Sequence, residues 1–267
     1  MVNNVTSPFG RWGRSADLLV VVFADIDETF LSHTTNRSAG ADEVLSAERI
    51  ALVLSSSMTR AQLQLVQQEL GIREPFICES GAAIFVPDEY FPFEVPRNRE
   101  LPGYHVLEFG RPYAEIVARL HRIAERLDTP VVGFSDETVE QVAHERGLSL
   151  SHARLAKLRE YDEPFRLVRP SQDAHERLWR ALRASGLARI SCGPMEHVGT
   201  PVSAAAAAHL LSSLYRRTFE SVVTTSLAVD AQSMRIQRGM DRAMWIETIV
   251  EVAEAARENY AASRTGH

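Results

Sequence analysis

Two carboxylates one residue apart close the first apolar run of the chain. Leu18-Leu19-Val20-Val21-Val22-Phe23-Ala24 leads directly into Asp25-Ile26-Asp27-Glu28-Thr29. A pair so spaced can divide the work of a phosphoryl transfer. Asp25 can attack a phosphorus atom and form an aspartyl-phosphate, splitting one hard step into two. Asp27 can protonate the leaving oxygen and later take a proton from the attacking water. An anionic nucleophile approaching an anionic phosphate calls for a hard cation such as Mg²⁺. The plainer role for these acids is a solvated turn that caps the next helix.

A second group follows one βα unit later, Val53-Leu54-Ser55-Ser56-Ser57-Met58-Thr59-Arg60. Hydroxyls at a strand end beside a helix N-terminus form a phosphate cradle, because backbone N–H groups there point at the anion. The same residue types also serve as ordinary N-caps. The triple serine lacks the flanking glycines of a nucleophile elbow. The nine histidines show no zinc-ligand spacing. Two cysteines, Cys78 and Cys192, make neither a disulfide framework nor a thiolate metal site and read as buried bystanders.

The elements that must hold these groups follow from the hydrophobic pattern. Leu18 to Ala24 and Ile50 to Leu54 are continuous apolar runs, as in strands buried on both faces of a parallel sheet. Helices are predicted at Ala41 to Glu48 and at Thr59 to Leu70, the latter stopped by Gly71. Short strands follow at Phe76 to Cys78 and Ala82 to Val86. The β-α-β-α-β rhythm predicts an α/β protein with a doubly wound parallel sheet, whose ligands sit at the carboxyl ends of the strands. The Pro-, acid- and aromatic-rich stretch Pro87 to Pro102 reads as a domain boundary. Beyond it, helices at Tyr113 to Leu127, Thr138 to Arg146, Ser151 to Glu160 and Gln172 to Ser185 alternate with strands at Val131 to Phe134 and Phe165 to Val168. Such a block reads as a small α/β insert. The rhythm resumes with Ser203 to Arg216, Ser221 to Thr225 and Ala243 to Glu258. The division predicted is a flexible leader (1–15), a core (16–87 and 188–260) and an inserted unit (88–187).

With 267 residues, 45% hydrophobic and 24% charged, the chain has ordinary globular proportions and ample core material. A net charge of −6 argues against a general nucleic-acid or membrane-surface binder. The first apolar run is far shorter than the ~20 residues of a membrane span and precedes no cleavage site, so it reads as a strand and the expected home is the cytoplasm. Lys157 is the sole lysine, which confines amine chemistry to one place.

Asp25-Ile26-Asp27-Glu28-Thr29-Phe30-Leu31 resembles the first motif of the haloacid dehalogenase superfamily, and Ser56 falls where its second motif has Ser or Thr. Within that superfamily the chain is similar to the mannosyl-3-phosphoglycerate phosphatases. Pro75-Phe76-Ile77-Cys78-Glu79-Ser80-Gly81-Ala82 resembles their Glu-Asn-Gly-Ala segment. Gly133-Phe134-Ser135-Asp136, Gly147-Leu148-Ser149 and Arg159-Glu160-Tyr161-Asp162-Glu163-Pro164-Phe165 resemble their cap signature. The likeness spans roughly residues 18 to 250. It implies a Rossmann-like core, an α/β cap inserted between the second and third motifs, and Mg²⁺-dependent hydrolysis of a phosphate monoester on a glycosyl-glycerate. The roles it implies are Asp25 as nucleophile and Asp27 as acid/base, with Ser56, Ser57, Arg60 and Thr29 at the phosphate. Asp25, Asp27 and Asp230 would hold the metal, and Lys157, Arg159 and Glu163 of the cap would contact substrate.

The chain departs from that pattern at charged positions. Met58 stands where the second motif carries Lys, and Val202 or a near neighbour where the third does. Val229 and Ser233 replace the acids of the fourth, unless a one-residue slip brings Asp230 into play. Glu28 replaces a small glycine and adds negative charge. Close carboxylates and a phosphate dianion need positive charge nearby, and Arg60 and Arg189 are the candidates by position. Two classes of function follow: a Mg²⁺-dependent phosphatase acting on a small phosphorylated sugar or glycosyl-glycerate, or an impaired or repurposed relative that binds a phosphorylated metabolite or a partner protein.

Overall fold

A computed structural model describes residues 18–27, 30, 40–192, 195–227 and 242–265. The expected leader, Thr29, the fourth-motif stretch with Asp230, and the Cys192 side chain lie outside the described residues.

The large sheet has seven strands: β1 (Leu19–Asp25), β2 (Ile50–Ser55), β3 (Phe76–Cys78), β4 (Ala83–Pro87), β5 (Arg99–Leu101), β6 (Tyr104–Glu108) and β11 (Val222–Leu227). Their order is β11-β1-β2-β3-β4-β6-β5. The first four are parallel, and β4, β6 and β5 extend them antiparallel. β1 sits inside the parallel part with Leu19 to Ala24 buried, which is what its unbroken apolar run requires. Helices α1 (Ala41–Ala47), α2 (Arg60–Leu70) and α8 (Arg242–Thr265) pack on the face that carries Val20, Val22 and Ala24. Helix α7 (Ala204–Thr218) packs on the face of Leu19, Val21 and Phe23. Helix α2 begins with a Thr59–Gln62 capping box and ends on Gly71 in the left-handed region, the stop that the sequence predicts.

The smaller sheet, ordered β7-β8-β10-β9, is made by β7 (Val131–Gly133), β8 (Asp162–Leu167), β9 (Ala188–Cys192) and β10 (Glu196–Gly199). Helices α3 (Tyr113–Arg126) and α6 (Gln172–Ala184) cover one face around Leu120, Phe165, Leu178 and Val198, and the shorter α4 (Val139–Arg146) and α5 (Leu150–Ala156) pair beside it.

The sheets divide the chain at other points than composition suggests. β5 and β6 fall in the stretch after Val86 yet complete the large sheet, because Tyr104 packs its ring against Phe76 and Phe85. β9 and β10, past position 187, complete the small one, where Val198 joins its core. The crossings therefore lie between Glu108 and Tyr113 and between Gly199 and Ala204. The predicted helix from Ser151 to Glu160 also stops early, at Ala156. Residues 159 to 162 are drawn instead into contact with the large unit, and β8 begins at Asp162.

Candidate active site

Asp25 is the last residue of β1, in register with Ser55 of β2, while Ala24 is in register with Leu227, the last residue of β11. Both acids thus stand at the carboxyl end of the parallel strands, where the sequence pattern places them. Asp25 is the more open of the two acids and only partly covered, and Asp27 is half-buried. Partial burial and the neighbouring Asp27 raise the Asp25 carboxyl above its ordinary range. Among the described residues no guanidinium or ammonium offsets that rise.

The β2–α2 loop lies against this strand end. Ser56 is buried, its hydroxyl donating to the Ile26 carbonyl at 2.5 Å and accepting from the Met58 N–H at 3.0 Å. The Ser56 N–H donates to the Ile77 carbonyl at 3.0 Å, and its own carbonyl accepts from Ser80 at 2.9 Å. The structure therefore brings Asp25, Asp27, Ser56 and Ser57 together on two adjacent strand ends. The turn at Glu79–Gly81 backs the loop, with the Glu79 N–H donating to the Met58 carbonyl at 3.1 Å. Gly81 has φ of +98°, and a Cβ there would fall 2.5 Å from the Ala204 nitrogen, so α7 starts directly behind the turn. Only glycine tolerates both the conformation and the approach.

The two arginines expected to supply charge are placed elsewhere. The Arg60 guanidinium bonds Glu160 at 2.6 Å and Gln64 at 3.2 Å and lies 5.8 Å from the Phe85 ring centre. Arg189 pairs with Glu196 at 2.5 Å and stacks on Trp179 in the smaller unit. Met58 fills apolar core, and Val202 packs on the same cluster, which also holds Ala24 and Ile26. An elongated apolar thioether belongs there by packing, but it brings no charge.

The three residues of the smaller unit named for substrate contact are engaged with protein. The Lys157 ammonium donates to the carbonyls of Phe134 and Glu137. Glu163 is buried, and its carboxylate accepts from Tyr113 at 2.6 Å and from the Ser135 hydroxyl and N–H at 2.7 and 2.9 Å. Burial raises its carboxyl even against these donors. Arg159 is also buried, and the run that starts there lies against Glu79 of the large unit.

Sequence reasoning gives no role to Glu79, Asp162 or His197, yet with Arg159 they form a buried ionic cluster where the two units meet. The Glu79 carboxylate accepts N–H groups from Glu160 (3.0 Å), Tyr161 (2.7 Å) and Asp162 (3.0 Å). Arg159 Nε bonds Asp162 at 2.5 Å and lies 3.7 Å from Glu79, and His197 Nδ1 lies 3.0 Å from the other Asp162 oxygen. Burial pushes the Glu79 carboxyl well up, whereas Arg159 and His197 hold Asp162 below its ordinary value. The available signal was Glu79 itself, an acid following a fully buried strand.

No family profile matches the chain. It is 33% identical over 224 residues to the glucosyl-3-phosphoglycerate/mannosyl-3-phosphoglycerate phosphatase of Methanococcoides burtonii, covering 83% of this chain and 82% of that protein. A protein of the same name from Persephonella marina is 38% identical over 151 residues, 55% of this chain and 54% of its own length. Among solved structures the fold is similar to that of BT1666, a phosphatase of the haloalkanoate enzyme superfamily from Bacteroides thetaiotaomicron. There the TM-score is 0.50 at 16% identity, over 79% of this chain and 78% of the other. A relative 33% identical and matched over four fifths of both chains shows the family, and the paired acids at the β1 end with the serine loop beside them are in keeping with it: the chain belongs to the glucosyl-3-phosphoglycerate/mannosyl-3-phosphoglycerate phosphatase family.

Proposed function

We infer that the protein is a Mg²⁺-dependent phosphomonoesterase acting on a glycosyl-3-phosphoglycerate, of the mannosyl or glucosyl type named for its relatives. The observation that carries this reading is the placement of Asp25 and Asp27 at the end of β1, beside the Ser56–Ser57 loop. The Asp25 carboxylate attacks phosphorus as the ester P–O bond breaks, and the leaving alkoxide takes a proton from Asp27. Water then attacks the aspartyl-phosphate, Asp27 accepts the proton, and orthophosphate leaves. The Ser57 hydroxyl and N–H, which have no hydrogen-bond partner among the described residues, would serve as donors to phosphate oxygens.

The donors fit the cation. Mg²⁺ takes hard carboxylate oxygens, and Asp25 and Asp27 present them with no protein cation acting on Asp25 among the described residues. These two residues would hold it, with Asp230 as the further ligand suggested by sequence. Among the described residues no group of three ligating side chains is assembled. When bound, the cation lowers the repulsion between nucleophile and phosphate.

Met58 and Val202 favour a second reading, in which the site binds a phosphorylated metabolite without turning it over. Phosphate release from glycosyl-3-phosphoglycerates and sugar phosphates, with and without Mg²⁺, in wild type and Asp25→Asn, separates the two. Metal-dependent release lost in D25N supports the phosphatase. Saturable phosphate-ester binding without release supports the binder.

A further inference from the structure

The smaller unit reaches the serine loop through the Arg159 guanidinium. Nη2 donates to the Ser57 carbonyl at 2.9 Å, across 102 residues of sequence. That carbonyl and the Met58 N–H belong to one planar peptide group. The Met58 N–H donates to Ser56 Oγ at 3.0 Å, and the Ser56 hydroxyl donates to the Ile26 carbonyl at 2.5 Å. The Ile26 carbonyl in turn shares its peptide plane with the Asp27 N–H. An unbroken chain of hydrogen bonds therefore runs from Arg159, through the serine loop, to the peptide between Asp25 and Asp27. Such chains polarise cooperatively in a low-dielectric interior.

Arg159 is itself held from both sides, by Asp162 of its own unit and by Glu79 of the large one. A neighbouring contact runs parallel to it: the Thr59 hydroxyl, at the cap of α2, donates to the Leu155 carbonyl at 2.9 Å. Glycines at the two crossings let the chain approach closely: a Cβ on Gly110 would lie 2.9 Å from Tyr161, and one on Gly199 3.0 Å from the Tyr161 carbonyl and 3.2 Å from Asp162. The fixed geometry of the guanidinium fork suits this triple contact, which an ammonium cannot reproduce.

We propose that Arg159 is a positioning residue: it orients the Ser57–Met58 peptide, and through it the Ser56 hydroxyl and the Ile26–Asp27 peptide, so the phosphate-facing groups take their final geometry only while the smaller unit is seated. The proposal rests on the phosphatase reading for its meaning, but its first test does not require activity. In Arg159→Lys the ion pair with Asp162 is retained and the link to Ser57 is lost. Hydrogen exchange at the Met58 amide then accelerates by about ten- to a hundred-fold, the scale of one charge-assisted hydrogen bond, while amides of β8 and α3 keep their protection. With Mg²⁺ present, the dissociation constant for orthophosphate and the KM for substrate rise by a similar factor, and the number of sites per chain is unchanged. A merely structural loss would lower the number of sites and leave their affinity alone. If R159K loses its cooperative melt, the charge-balanced pair Arg159→Gln with Asp162→Asn is the second variant, with the same expected changes. Unchanged Met58 exchange in either folded variant overturns the relay. A wild-type protein that neither binds orthophosphate nor releases it overturns the phosphatase reading instead, and the exchange measurement still decides the relay.

Discussion

The Glu79 carboxylate and the Tyr161 N–H meet at 2.7 Å, joining a turn of the large unit to the start of β8 in the smaller one. Two further N–H groups and the Arg159 guanidinium share the same carboxylate. A buried acid with this many donors is a fastener between units, and its removal leaves three buried amides unsatisfied and takes one of two carboxylates from Arg159. Glu79→Ala is therefore expected to lower stability by about 3–5 kcal/mol, measured by denaturant unfolding.

The same group sets a pH dependence. Burial raises the Glu79 carboxyl to about 8 in the folded chain, against an ordinary value of 4.5. The folded state holds this proton more tightly than the unfolded one, so the contribution is fully present below the ordinary glutamate range. It is lost as pH rises through the folded value. The melting temperature is expected to fall between about pH 5 and pH 8, and Glu79→Gln to flatten that fall. An equal slope in the two proteins would assign the dependence to other groups.

Asp25 is strained electrostatically in the service of its site. Its carboxyl is raised by burial and by Asp27, so ionising it opposes folding above the ordinary aspartate range. Asp25→Asn is expected to reduce phosphate release by roughly 10³–10⁶-fold, as loss of a nucleophile does, while melting at or above the wild-type temperature at pH 7. Calorimetry beside the activity assay checks both halves. A D25N protein with wild-type turnover would remove Asp25 from the mechanism.

Val202 offers a way to restore the missing charge. It is half-buried against the cluster that contains Ala24 and Ile26, the residues on either side of Asp25. Val202→Lys is expected to lower the Asp25 pKa, moving the acid limb of the pH–rate profile to lower pH, and to raise kcat/KM by about tenfold or more. An unmoved acid limb would mean that the new ammonium does not reach the carboxylate.

Gly81→Ala tests the packing behind the serine loop. The added methyl would meet the Ala204 backbone at 2.5 Å in a conformation with φ of +98°. Strain and overpacking together are expected to cost about 2–5 kcal/mol, with weaker orthophosphate binding because the turn carries the Ser80 bond to the Ser56 carbonyl.

The sequence alone determined the parts that depend on near neighbours. The apolar run before Asp25 specified a strand buried on both faces, and therefore the end at which its carboxylates emerge. The Thr59 cap and Gly71 stop bounded α2 because capping is settled within one helical turn. Tertiary structure decided what depends on distant partners. Arg159 meets Ser57 across 102 residues, and Glu79 meets Tyr161 across 82. A charged run such as Arg159 to Glu163 carries no local mark of whether solvent or an opposing carboxylate receives it. The same holds for Arg60 and Arg189, whose charges went to Glu160 and Glu196. Strand β6 likewise acquired its place from the rings that Tyr104 covers, and β5 by pairing with β6, not from the composition around them. Periodicity and capping are short-range and survive in sequence, whereas ion pairing and sheet edges are fixed only when the chain closes on itself.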